Sequence, residues 1–194
     1  MKVIISTRAI YPFHGFGGME RYYYNLAKHL VREDIEVEII TNSDKISKLE
    51  TSEYDGIKFW FLPITYVKRL PMIIWYKIFN IHVKKFLEKY DFDILHGTAG
   101  THAYSSLKNR RPVIHQPFGL ELFKTKGIMK IYCYAAYYHM NTCMHKNADA
   151  IASEGEIQTK EIVQLFGVPK EKIFYLPAGV DLDEIEEYTK DVEI

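Results

Sequence analysis

Gly17-Gly18-Met19-Glu20-Arg21 follows the apolar run Val3-Ile4-Ile5 and a loop holding His14 and Gly15, and leads into Tyr22–Leu30. A strand, a glycine-bearing loop and an amphipathic helix in that order present free backbone N–H groups to an anion. Two adjacent glycines serve equally well to turn a loop tightly. The spacing is neither the G-x-G-x-x-G of dinucleotide sites nor the G-x-x-x-x-G-K-[ST] of triphosphate sites. His14 lies in the same loop and could meet the same pocket. His96 ends an apolar run and precedes Gly97-Thr98-Ala99-Gly100-Thr101, a second turn of small residues. An imidazole there donates to a phosphate or sugar hydroxyl, or else caps its strand on a loop carbonyl. His115 ends another run. Glu121, after Phe118-Gly119-Leu120, reads as a general base, a hydroxyl acceptor or a helix-start carboxylate.

Several chemistries are set aside by what the chain lacks. There is no H-E-x-x-H and no Cys/His cluster, so a protein-bound metal is not expected. Ser153-Glu154-Gly155 lacks the spacing of a nucleophile elbow. Cys133 and Cys143, the two cysteines, stand ten apart without a disulfide framework, which points to a reducing, cytoplasmic compartment. Met1-Lys2 runs straight into a strand, so no signal peptide is expected. No stretch approaches ~18 consecutive apolar residues, the length a spanning helix needs. The 25 basic and 25 acidic residues balance, giving no electrostatic reason for a nucleic-acid partner. Lys108-Asn109-Arg110-Arg111 reads as a solvated helix end or loop.

The elements that must position these residues follow from periodicity. At 194 residues and 47% hydrophobic content the chain suffices for one domain with a sizeable core. Seven strands are predicted: Val3–Ser6, Ile35–Thr41, Ile57–Leu62, Asp93–His96, Pro112–Gln116, Ala148–Ala152 and Lys172–Leu176. A helix over Met19–Val31 places Met19, Tyr23, Leu26, Ala27 and Leu30 on one face. A second runs from Pro71 to about Lys89, with Ile74, Ile78 and Ile81 beside Trp75, Phe79, His82 and Phe86. Glu156–Phe166 is a third, stopped by Gly167 and Pro169. Asn42 to Gly56 is polar and charged, and reads as a surface connection. Short apolar strands alternating with helices predict an α/β fold, a Rossmann-like three-layer sandwich around a mostly parallel sheet of about seven strands. Right-handed crossovers put the loops after the strands on one edge, where such sheets bind ligands.

Ile128–His145 holds Tyr132, Tyr134, Tyr137 and Tyr138 with Met129, Met140 and Met144, and Lys130 is its only lysine. It reads as a long helix packed between sheet and surface, its tyrosine hydroxyls reaching water or partners. Its low charge also permits a face for a membrane surface or another protein, although the basic polar face of an interfacial helix is absent.

Taken together, these segments resemble the N-terminal half of a retaining glycosyltransferase of family 4, also called group 1, with the GT-B fold. Gly17-Gly18-Met19-Glu20-Arg21 is similar to that family's glycine-glycine-x-glutamate loop. Phe92-Asp93-Ile94-Leu95-His96 resembles its Asp-x-x-His strand end, and Pro112–Gly119 its fifth-strand segment. Lys172–Asp181, with Pro177-Ala178-Gly179-Val180-Asp181, resembles its crossover motif Pro-Asn-Gly-Val-Asp. Two positions depart from the pattern. Phe118 stands where many members carry a histidine near the reacting sugar, and a phenyl ring moves no proton; Ala178 replaces the motif asparagine.

The resemblance implies one half of a GT-B fold. Residues 1–182 would form the acceptor-side domain and 183–194 the start of an interdomain linker or terminal helix, with the donor-binding C-terminal domain absent. It implies transfer of a sugar from a nucleotide-sugar donor to an acceptor hydroxyl, carbohydrate or lipid-linked, with retention at the anomeric carbon. Gly17 and Gly18 would approach the donor diphosphate, and His96 would contact the sugar or the leaving-group oxygens as the catalytic candidate. His14, Phe118 and Glu121 would face substrate. The chain by itself would be inactive, and the enzyme cytoplasmic or peripheral at the inner membrane face. A binding or regulatory domain that keeps this architecture without turnover is the alternative, which Phe118 favours. A dinucleotide-dependent oxidoreductase fits worse, because the phosphate fingerprint and the ribose-binding acid lack their context.

Overall fold

The computed structural model describes residues 1–15, 17–43, 48–64, 72–98, 111–118, 120, 123, 127 and 129–179. Eight strands form one sheet: β1 (Lys2–Ser6), β2 (Glu36–Asn42), β3 (Glu50–Tyr54), β4 (Ile57–Leu62), β5 (Ile94–Thr98), β6 (Val113–Gln116), β7 (Ala150–Ser153) and β8 (Ile173–Tyr175). Their spatial order is β3-β4-β2-β1-β5-β6-β7-β8, and every pairing except β3 with β4 is parallel. The helices are α1 (Gly18–Arg32), α2 (Met72–Leu87), α3 (Met129–Thr142) and α4 (Glu156–Phe166). A π-helical turn, Cys143–Asn147, extends α3, and a 3-10 turn, Lys170–Lys172, precedes β8.

The central strands are buried on both faces, as a parallel sheet between two helical layers requires. Alternation along each strand divides the core. Val3, Ile5, Val37, Ile39 and Phe59 pack with Tyr23, Tyr24 and Ala27 of α1. Ile4, Ile40, Leu95, Val113 and Ile151 face the other way, toward Trp75, Phe79, Val83 and Leu87 of α2, Met140 of α3 and Ile162 of α4. Of the two apolar stripes on α2, the sheet therefore takes the one with Trp75 and Phe79. Ile74, Ile78 and Ile81 are left exposed.

One buried charge sits at the foot of β2. Glu38 is 3% exposed and accepts hydrogen bonds from Trp60 Nε1, from the Tyr90 hydroxyl at 2.9 Å and from Lys2 Nζ at 3.1 Å. Burial by itself would raise this carboxyl, but the three donors outweigh it and hold it below the ordinary value.

Two expectations need correction. The segment from Asn42 to Gly56 is not all connection, because Glu50–Tyr54 forms an antiparallel edge strand on β4. Its residues are almost all exposed, so no apolar alternation marks it. The turn that makes the hairpin is Asp55-Gly56, with φ of 51° and 71°, the backbone that Asp-Gly favours between two strands. Secondly, β5 does not stop at His96; it continues through Gly97 and Thr98, which pair with His115 and Gln116. Of the small-residue turn expected there, Ala99, Gly100 and Thr101 lie outside the described residues. Pro71, Lys108–Arg110, Glu121, Val180, Asp181 and 183–194 do so too.

Candidate active-site edge

α1 begins at the carboxyl edge of the sheet, and Gly17 is its N-cap, with extended backbone and no side-chain cap. The nearest charge to it comes from inside the helix. A Cβ placed on Gly17 would lie 2.1 Å from Glu20 Oε2, so the Glu20 carboxylate is folded back against the first turn. A negative side chain three residues past the cap stabilises the positive end of the helix. At Gly18 a Cβ would meet nothing within 4 Å, so the space beside the first helical residue is open.

Tyr23, in the second turn of α1, carries the line from this terminus to the sheet. Its ring meets the His96 ring edge-on with centroids 5.8 Å apart, and the Phe118 ring edge-on at 5.4 Å. Tyr23 stands five positions after Gly18, about 7–8 Å along the helix axis. His96 and Phe118 thus belong to the same edge as the glycine loop. Tyr22 closes the group, edge-on to Phe118 at 5.8 Å, its hydroxyl accepting from Gln116 Nε2 at 3.1 Å. Burial raises the Tyr22 phenol, partly opposed by the bond from Gln116.

His96 is 5% exposed, and burial pushes its pKa down to about 4, with Gln116 pulling the other way. Its Nε2 has no hydrogen-bond partner among the described residues. A buried ring in that state is neutral at pH 7. It offers a hydrogen bond rather than a proton.

His115 belongs to the opposite face. It is fully buried, its Nε2 lies 3.3 Å from Met140 Sδ on α3, and burial, reinforced by His96 and His139, lowers its pKa to about 3. His14 is tied down on the β2 side of the first loop. Its Nδ1 accepts from the Ile10 amide at 3.3 Å and its Nε2 donates to the Asn42 carbonyl at 2.7 Å. Both ring nitrogens are thereby engaged with backbone.

The start of the crossover segment reaches the same helix. The Leu176 amide donates to the Ser153 carbonyl at 2.7 Å, and the chain then runs against α1. Leu176, Pro177 and Gly179 face Tyr22, Asn25, Leu26 and His29 across a cleft of about 160 Å³. The β6 end is fixed from α4, where Gln158 Nε2 donates to the Pro117 carbonyl at 2.9 Å. Tyr22, Asn25 and Gln116 are edge residues that motif reading did not single out. Among the described residues no group of three His, Cys, Asp or Glu side chains is placed to hold a metal ion.

A mostly parallel sheet with a glycine-capped helix at its carboxyl edge has the architecture of one Rossmann-like half of a GT-B fold. Solved structures agree on the fold. Sucrose-phosphate synthase from Thermosynechococcus elongatus superposes with a TM-score of 0.70 at 13% identity, over 94% of this chain and 49% of that one. WaaG, a glycosyltransferase involved in lipopolysaccharide biosynthesis, gives 0.65 at 14% identity over 98% and 52%. The catalytic domain of starch synthase IV from Arabidopsis thaliana, bound to ADP and acarbose, gives 0.64 at 12% over 94% and 52%. The chain spans about half the length of each of these three. No match to a curated protein was found. The model of Glycosyltransferase Family 4 matches residues 16–184, and the chain belongs to that family.

Proposed function

We propose that this chain is the acceptor-side domain of an enzyme that moves a sugar from a nucleotide-sugar donor to an acceptor hydroxyl with retention at the anomeric carbon. The observation that carries the reading is the α1 N-terminus, with open space beside Gly18, joined through Tyr23 to His96 at the ligand edge of the sheet. A second domain would hold the nucleotide and present its diphosphate to this terminus. Backbone N–H groups there stabilise the charge that grows on the leaving phosphate. The neutral His96 ring would hydrogen-bond a sugar hydroxyl or leaving-group oxygen, while Phe118 shapes the pocket without moving a proton. Glu121 would contact the acceptor, and His14 would hold its loop in place rather than touch substrate. Closure of the two domains would exclude water.

A binding domain without turnover is the second reading, and the packing of Phe118 on two tyrosines favours it. The full-length protein incubated with a panel of UDP-, ADP- and GDP-sugars and hydroxyl acceptors decides between them. Release of nucleotide with an acceptor-dependent product of unchanged anomeric configuration supports transfer. Donor binding without release, across the panel, supports the second reading.

A further inference from the structure

We propose, on the strength of the sugar-transfer reading, that Gln116 is a positioning residue. It holds His96 in the Nε2–H tautomer, so that the ring offers Nδ1 to a hydroxyl of the transferred sugar and not to a leaving-group oxygen. Parallel pairing sets Ile114 beside His96 and Gln116 beside Thr98. Side chains two apart on a strand share a face, so Gln116 and His96 are diagonal neighbours on the α1 side of β6 and β5. The glutamine is fully buried, and the histidine nearly so.

A neutral imidazole has one N–H and one lone pair, while a primary amide has a nitrogen that donates and an oxygen that accepts. Gln116 Nε2 is spent on the Tyr22 hydroxyl at 3.1 Å, which leaves Oε1 as the end still to be satisfied. Gln116 Oε1 and His96 Nε2 are both shut off from solvent, and neither bonds to another group among the described residues. Each is costly alone, and the two are complementary together, since an oxygen that only accepts needs a nitrogen that donates. The neighbours are otherwise engaged: the Thr98 hydroxyl donates to the Ser6 carbonyl at 3.1 Å, and the Tyr23 hydroxyl has Thr98 beside it. Gln116 also raises the His96 pKa against the lowering by burial, as an acceptor facing a ring N–H does. With the proton on Nε2, Nδ1 carries the lone pair. A neutral ring brings no positive charge to a diphosphate, and diphosphate oxygens, which only accept, gain nothing from Nδ1. A sugar hydroxyl donates to it. The anionic end of the donor is left to the backbone N–H groups of α1.

The test is imidazole nitrogen NMR of the full-length protein at neutral pH, with the His96 signals assigned by their loss in His96→Gln. Wild type should show a protonated Nε2 and an unprotonated Nδ1. Gln116→Leu removes the acceptor and should shift the tautomer ratio roughly tenfold toward Nδ1–H. Gln116→Glu should restore the wild-type pattern, its carboxylate accepting from Nε2–H. Tyr22→Phe, a milder change to the fold, frees the amide to turn over and should populate Nδ1–H as well. A proton on Nδ1 in the wild type overturns the proposal, and so does a ratio that Gln116→Leu and Tyr22→Phe both leave unchanged. UDP-, ADP- and GDP-glucose are then added in turn. The sugar nucleotide that binds should move the Nδ1 resonance, and the matching nucleoside diphosphate should not. A bound sugar nucleotide that leaves Nδ1 unmoved, or a shift matched by the diphosphate alone, overturns the hydroxyl contact. The tautomer needs no ligand, so a protein that binds none of the three counts against the transfer reading, while its Nε2 signal still judges Gln116.

Discussion

The Glu20 carboxylate lies against Gly17, so close that a Cβ on Gly17 would fall 2.1 Å from Glu20 Oε2. Glycine at the N-cap thus leaves room for the glutamate three residues on to bring its negative charge against the positive end of the helix. Gly17→Ala pushes the carboxylate off the terminus, and Glu20→Ala removes it. Each should cost about 0.5–1 kcal/mol in urea denaturation. Because both act through one contact, the double variant should cost less than the sum. Full additivity would show that the contact contributes nothing to stability.

His96 and His115 are neutral in the fold, held at about 4 and about 3 by burial, whereas an exposed histidine titrates near 6.5. Above pH 6.5 neither the folded nor the unfolded chain binds protons at these rings, and stability is level. Below it the unfolded chain takes up protons that the fold excludes, so stability falls as pH falls toward 4. The slope contributed by the two rings approaches about 2.7 kcal/mol per pH unit. Urea midpoints between pH 7.5 and 5.5, above the main carboxylate titration, would show it. His115→Asn should roughly halve the slope, and a level midpoint across that range would contradict the buried neutral state.

Glu38 makes the opposite kind of demand, since it must stay charged. Its carboxylate satisfies Trp60, Tyr90 and Lys2. Glu38→Ala strands the Trp60 and Tyr90 donors, while Lys2 keeps its ion pair with Glu36 at 2.8 Å, and should cost about 2–4 kcal/mol. Its pKa is lowered in the fold, so its contribution is present above the unfolded carboxyl pKa and is lost as pH falls through the folded one. Wild type and Glu38→Ala should therefore converge in melting temperature on strong acidification. A constant difference down to pH 3 would reject the charged network.

The strands were legible where apolar runs were bounded by turns, because a parallel sheet buried on both faces leaves such runs behind. β3 was not, since an exposed edge strand has no reason to alternate; the Asp55-Gly56 pair was its only signal. Motif order brought Gly17, Gly18 and His96 to one edge. What motifs could not supply was register. His96 pairs with Ile114, so His115 faces α3 and Gln116 turns toward Tyr22, 94 positions away in sequence. A shift of β6 by one residue in that pairing would set His115 opposite His96, on the same face of the sheet. Periodicity likewise drew two apolar stripes on α2, and only the sheet decides which one it covers.

Phe118 fills the space between Tyr22 and Tyr23, ring edges at 5.8 and 5.4 Å. Phe118→Ala should cost about 1–3 kcal/mol, less than a fully buried phenylalanine because the ring is only partly covered. In a full-length protein acting as proposed, it should raise KM and leave the pH dependence of kcat unaltered, since a phenyl ring titrates nothing. A change in the pH profile would mean that the ring holds a titrating group in place.

Gly18 separates folding from ligand approach more cleanly than any other position at this edge. The space beside it is open, so valine meets no atom of the fold within 4 Å of its Cβ. As the first helical residue Gly18 also lies outside the crowded helix interior, and Gly18→Val should change stability by less than about 1 kcal/mol. The added methyl groups would instead occupy the open side of the α1 N-terminus, where a diphosphate must come close to reach backbone N–H groups. In the full-length protein KM for the nucleotide sugar should rise at least about tenfold, a loss of about 1.4 kcal/mol of binding. KM for the acceptor should stay within about a factor of two. Thermal melting run in parallel checks the fold, and steady-state kinetics with varied donor read the ligand. Unchanged donor kinetics in a folded Gly18→Val protein would reject diphosphate recognition at this terminus, even with sugar transfer itself demonstrated.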